Sequence, residues 1–262
     1  MDPIARNNVQ VAGSGDRWML FAHGFGCDQA MWRHVAPDFE DEFQVVTLDY
    51  VGAGGSDKSA YDPQKYATLD GYAADIVEVA EALGIKDGIF VGHSVSAMIG
   101  ALASLKAPSL FSDLVMVGPS PRYTNDGDYF GGFEDEDISD LLSSLEANPM
   151  AWSEAMAPAI MGVPQRPELG QELTESFCRL DPQIAVDFAR ATFMSDNRDD
   201  LPKIRARTLV LQCQQDIIAS EKVGMFVRDK VPGATLTMLE ATGHCPNLSA
   251  PNEVIASIRA FL

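Results

Sequence analysis

The chain has 262 residues, 46% of them hydrophobic, and sets 38 Asp and Glu against 19 Lys and Arg for a formal net charge of −19. That length suits one α/β domain with an insertion, or two small domains, and the apolar content can fill a large core. The charge repels phosphate backbones and anionic lipid, so neither nucleic acid nor a membrane surface is an expected partner.

The first eight residues contain no apolar leader core and no run approaches a membrane span, so a cytoplasmic protein is expected. Cys27, Cys178, Cys213 and Cys245 show no paired spacing. A reduced chain follows, and with no Cys or His pair placed like a ligand knuckle, no metal site is expected.

In chain order, residues 9–11 read as an edge strand and residues 18–22, an unbroken apolar run, as a fully buried parallel strand. The run enters His23-Gly24-Phe25-Gly26, where glycines let the backbone approach a ligand. Residues 28–39 carry Met31, Trp32 and Val35 at helical spacing. Residues 44–48 form the next strand, followed by a glycine-rich loop from Asp49 to Asp57 that matches no phosphate-binding fingerprint. Residues 69–83 are an amphipathic helix stopped at Gly84. Residues 89–91 are a short strand and 95–105 a helix, with only Gly92-His93-Ser94-Val95-Ser96 between them. Residues 114–117 are another strand.

The rhythm then breaks. From 122 to 196 there is no convincing strand, and residues 138–145, 151–161, 169–180 and 184–194 read as four short helices separated by prolines. The acidic run Glu134-Asp135-Glu136-Asp137 reads as a solvated helix start. Alternation resumes with a strand at 208–212, a helix at 220–231, a strand at 235–239 and a last helix at 252–261. The organisation is an α/β core of residues 1–121 and 197–262, with residues 122–196 as a helical lid.

The sharp strand-to-helix junction at Ser94 is a nucleophile elbow, with strained backbone angles expected at the serine and Ser96 replacing the usual last glycine. A serine hydroxyl needs a base within hydrogen-bond reach. Of four histidines, His93 precedes Ser94 and should point away, His23 sits in the glycine loop, and His34 reads as a surface residue. His244 follows a strand in a loop and is the expected base, because such sheets place their sites at the carboxyl ends of strands. Asp216 lies between serine and histidine in the chain, at a strand end, and is the expected orienting acid; Asp49 is the fallback. The Phe25 and Val95 N–H groups are the expected oxyanion donors. No metal or organic cofactor is needed for this chemistry.

The segments His23-Gly-Phe-Gly-Cys-Asp-Gln, Gly92-His-Ser-Val-Ser-Ala-Met-Ile-Gly, Gly118-Pro-Ser-Pro-Arg-Tyr and Gly243-His-Cys-Pro together resemble α/β-hydrolases of the RsbQ type. That group includes a bacterial energy-stress regulator and the plant karrikin and strigolactone receptors. The resemblance implies an α/β-hydrolase fold, a mostly parallel sheet flanked by helices, with a V-shaped four-helix lid inserted after the sixth strand over a deep apolar pocket. It implies slow hydrolysis of small hydrophobic esters or lactones. By position, Phe25, Tyr123, Leu142, Trp152, Met156, Phe193 and Ile217 would line the pocket. It also implies a second role, in which a monomeric hydrolase binds a small ligand and its lid then docks a regulatory protein. A dehalogenase would require an aspartate where Ser94 stands.

Overall fold

The computed structural model describes residues 1–262. The core elements before the insertion are α1 (Pro3–Arg6), β1 (Gln10–Ala12), β2 (Arg17–Ala22), β3 (Phe43–Thr47), α2 (Leu69–Ala82), β4 (Gly88–His93), α3 (Val95–Lys106) and β5 (Phe111–Val117). Four helices follow: α4 (Asp135–Ala147), α5 (Pro149–Met161), α6 (Pro167–Cys178) and α7 (Pro182–Phe193). The core resumes with β6 (Arg207–Gln215), α8 (Glu221–Lys230), β7 (Thr235–Thr242), α9 (Pro246–Ser249) and α10 (Pro251–Phe261). The insertion therefore follows the fifth strand of this chain, not the sixth. Residues 28–39, read as helical, form two short 3-10 turns, Gln29–Trp32 and Ala36–Phe39.

The seven strands form one sheet in the order β1-β3-β2-β4-β5-β6-β7. Only β1 runs antiparallel, pairing Val11 with Val46; the other neighbours are parallel. The continuous apolar runs of the central strands follow from burial on both faces. On one face Phe21, Val91, Val117 and Leu211 pack with Trp32, Phe39 and α10. On the other Leu20, Phe90, Met116 and Val210 pack with α2, α3 and α8.

Each inserted helix starts on a signal visible in its own residues. Glu134 and Asp137 form a reciprocal capping box at α4. Asn148 caps α5 and Asp181 caps α7, each followed by a proline at the first helical position. No helix is long and apolar enough to cross a membrane.

Candidate active site

β4 ends at His93 and α3 begins at Val95, so Ser94 alone makes the turn. Its backbone sits at φ 57° and ψ −123°, a conformation that costs a non-glycine residue of order 1–3 kcal/mol and persists only where the surroundings impose it. Its N–H is fixed by the Val117 carbonyl of the neighbouring strand at 2.8 Å. Close packing of helix on strand is the reason for Gly92 and Gly100. A Cβ at Gly92 would stand 2.5 Å from the Ser96 carbonyl oxygen, and one at Gly100 would stand 2.3 Å from the Phe90 ring.

Ser94 Oγ lies 2.7 Å from His244 Nε2. His244 Nδ1 lies 2.7 Å from Asp216 Oδ2. Asp216 follows the end of β6, and its other oxygen accepts the N–H groups of Ile218 and Ala219 at 2.8 and 3.0 Å. The aspartate thus closes its own turn with one oxygen and holds the imidazole with the other. That contact assigns the proton to Nδ1 and leaves Nε2 free to accept the serine proton. Asp49 is elsewhere: it accepts from the Gln29 N–H, the Gly55 N–H and the Asn8 amide, all within 2.8 Å, and ties three loops together.

The remaining histidines do different work. His93 turns away from Ser94, and its Nε2 meets the His244 carbonyl at 2.7 Å. Burial, then the nearby His244, pushes its pKa down to about 3, so the ring is neutral. His23 accepts the Tyr50 N–H on Nε2, and burial lowers its pKa. His34 is exposed. Cys27 and Cys245 line the same cavity as Ser94, but burial pushes Cys27 up to about 12 and Cys245 well above its usual range, so neither is a thiolate. All four cysteines are free.

Phe25 follows β2 in the glycine loop, and Val95 is the first residue of α3. Neither N–H is engaged by a protein acceptor, as expected for a helix N-terminus and an open turn.

The cavity above Ser94 is roofed by the inserted helices. Tyr123, Trp152, Met156 and Phe193 line it, together with Phe25, His93 and His244. Burial pushes the Tyr123 phenol above its usual range. Two expectations fail by one position each. Ile217 is 54% exposed, because the Asp216 turn rotates it to solvent and brings Ile218 to the cavity. Leu142 is buried but belongs to an outer groove beside Arg122 and Arg190; Leu141, about 100° further round α4, faces the cavity. Leu173 and Phe177 of α6 also line it. Their i, i+4 spacing was the available signal, but core packing against any neighbour would look the same. The pocket is small: the space open to the centre of a water molecule is ≈ 30 Å³.

The model of the alpha/beta hydrolase family matches residues 19–258. The chain belongs to that family. This hydrolase is 40% identical over 256 residues to strigolactone esterase D14 of Arabidopsis thaliana, spanning 97% of this chain and 96% of the relative. It is 38% identical over 250 residues to karrikin insensitive 2 receptor CA of Petunia hybrida, spanning 95% and 93%. Among solved structures, a hydrolase from Oleispira antarctica, olei00960, superposes with a TM-score of 0.97 at 39% identity, over 99% of this hydrolase and 96% of that chain.

Proposed function

We propose that this hydrolase is a serine esterase or lactonase that cleaves small, neutral, apolar esters through an acyl-enzyme. The observation that carries the reading is the unbroken chain Ser94–His244–Asp216, with two contacts of 2.7 Å, beneath an apolar roof. His244 Nε2 takes the Ser94 proton as Oγ attacks the carbonyl carbon. The imidazolium so formed is stabilised by Asp216 and returns the proton to the leaving oxygen. The N–H groups of Phe25 and Val95 receive the oxyanion, each for about 3 kcal/mol of barrier. Water, activated by His244, then releases the acyl group.

The substrate class follows from the lining. The cavity offers apolar and aromatic walls, and few polar groups beyond the reacting ones. A charged substrate would leave water without a compensating partner, whereas apolar burial contributes about 25 cal/mol per Å². Hydrolysis of p-nitrophenyl acetate, with mass-spectrometric trapping of one acyl group on Ser94, tests the reading. Ser94→Ala should lose at least about a thousandfold in kcat/KM, and retention of a tenth of wild-type turnover would sink it.

A second role is favoured by two contacts. The His244 main-chain N–H donates to the Ile160 carbonyl of α5 at 2.8 Å, and Thr242 Oγ1 donates to the Gly162 carbonyl at 3.0 Å. The base loop and the roof are therefore joined, so ligand at His244 biases the outer face of α4–α7, where a regulatory protein would dock. Ligand-dependent hydrogen exchange in α5 of Ser94→Ala is the expected sign; identical exchange with and without ligand excludes this role.

A further inference from the structure

The space above Ser94, ≈ 30 Å³, is well below the roughly 300 Å³ at which pockets begin to take ordinary organic ligands. Its walls must part for any ester to enter, and one wall has a second side. Phe25, Trp152 of α5 and Phe177 of α6 form a triangle of rings. The centroids lie 6.2 Å apart for Phe25–Trp152, 5.8 Å for Phe25–Phe177 and 5.4 Å for Trp152–Phe177. All three residues line the Ser94 cavity, and all three also form the floor of an outer crater of ≈ 240 Å³. The crater opens between the end of α4, the start of α5, the end of α6 and the start of α7. Leu145, Met150, Leu180 and Ala185 are among its walls.

The triangle is therefore a septum one ring thick, with the nucleophile on one side and an apolar crater on the other. Two features separate the crater from another approach, the cleft between α4 and α5. That cleft meets the cavity at Leu141, Trp152 and Met156 and carries Asp137 and Asp140 on its rim. The crater has no charged residue in its lining, on a chain of net charge −19. Its position also fits one end of an ester. During attack the leaving oxygen must face His244, so the acyl substituent points away from it. The crater shares Phe25 with the nucleophile's flank and includes no residue of the His244 loop.

We propose that this crater is an acyl-tail subsite: the septum rings turn aside, and an unbranched, medium-length acyl chain of a neutral ester runs from Ser94 into the crater between α4, α5, α6 and α7. The inference rests on the esterase reading and specifies its substrate class. It also accounts for Met150, 62% exposed on the crater wall, as apolar surface awaiting a chain.

Cys178 lines the crater and is exposed, while the other three cysteines are buried, so it reports on occupancy without catalysis. In Ser94→Ala, methyl octanoate should slow modification of Cys178 by N-ethylmaleimide several-fold, and methyl acetate should not. In the active enzyme, Phe177→Ala should raise the ratio of kcat/KM for p-nitrophenyl octanoate over acetate about tenfold, with Phe177→Leu giving a smaller rise if the alanine variant folds poorly. Maleimide on Cys178 should reverse that gain. Equal Cys178 modification with and without octanoate, or a ratio unmoved by both Phe177 variants while acetate is still turned over, overturns the proposal. Loss of the esterase reading would look different: no Ser94-dependent acetate hydrolysis at all, with Cys178 protection still deciding the crater.

Discussion

The Ser96 hydroxyl donates to the His23 main-chain carbonyl at 2.5 Å and receives the Tyr50 hydroxyl at 2.7 Å. Two residues after Ser94, it ties α3 to the loop that carries Phe25. The serine that replaces the motif's last glycine is therefore a brace between the two halves of the proposed oxyanion site. Ser96→Gly, which restores the commoner motif, should destabilise the protein by about 1–3 kcal/mol because the His23 carbonyl and Tyr50 hydroxyl lose a buried partner. It should also lower kcat more than it changes KM. Urea unfolding beside steady-state kinetics checks both; an unchanged midpoint and kcat would show that the brace is idle.

The two candidate acids separate by where their oxygens go. Asp216→Asn removes the acceptor for His244 Nδ1 and favours the wrong tautomer, so kcat should fall by about a hundredfold to ten-thousandfold. Asp49→Asn should leave kcat within a few-fold and lower the thermal midpoint, since its carboxylate serves Asn8, Gln29 and Gly55 rather than a histidine. The reverse ranking of kcat losses would show that the acid is misassigned.

Gly118 follows β5 at φ +59°, and a Cβ there would lie 3.2 Å from His244 Cε1. Gly127 has nearly the same φ, +56°, with nothing within 4 Å of a Cβ built there. Alanine at either position costs about 1–2 kcal/mol of left-handed strain. Only Gly118→Ala also presses on the imidazole, so it alone should lower kcat, by about tenfold or more. Equal kcat in the two variants would mean that the ring has room to yield.

His93 gives the protein an acid-side liability with a definite sign. Its folded pKa of about 3 lies below the ordinary 6.5, so between those values the unfolded chain binds a proton that the folded chain refuses. Stability contributed by the neutral ring is full above about pH 6.5 and is lost as pH falls, at up to about 1.4 kcal/mol per pH unit. Burial would raise Asp196, but hydrogen bonds from Arg198 and Arg122 outweigh it and hold it at about 2. Carboxylates of this kind add slope of the same sign below pH 4. His93→Gln, which keeps a donor for the His244 carbonyl, should flatten the dependence between pH 6 and 4 by about one proton. Parallel curves for the two proteins, measured by urea midpoint against pH, would place the liability elsewhere.

Properties carried by neighbouring residues were legible in the chain itself. The apolar run at 18–22 marked a strand covered on both faces, the run at 208–212 marked another strand, and Asn148-Pro149 and Asp181-Pro182 marked breaks between the inserted helices, because propensity and chain breaking are local. Ser94, Asp216 and His244 stood out as candidates through chain order, positions at strand ends, and the scarcity of histidine. What only the tertiary structure decided lies between distant residues. The Ser94–His244 contact joins positions 150 apart, and the division of Asp216 between its own turn and the imidazole needs β6 and β7 side by side. The cavity lining turned on one-residue rotations, Ile218 for Ile217 and Leu141 for Leu142. A helix turns about 100° per residue and a tight turn can reverse a side chain outright, so only the packed partners fix which neighbour faces in. The aromatic septum is the furthest from the sequence, since Phe25, Trp152 and Phe177 come from three separate segments and share a face only when the four inserted helices close over the sheet.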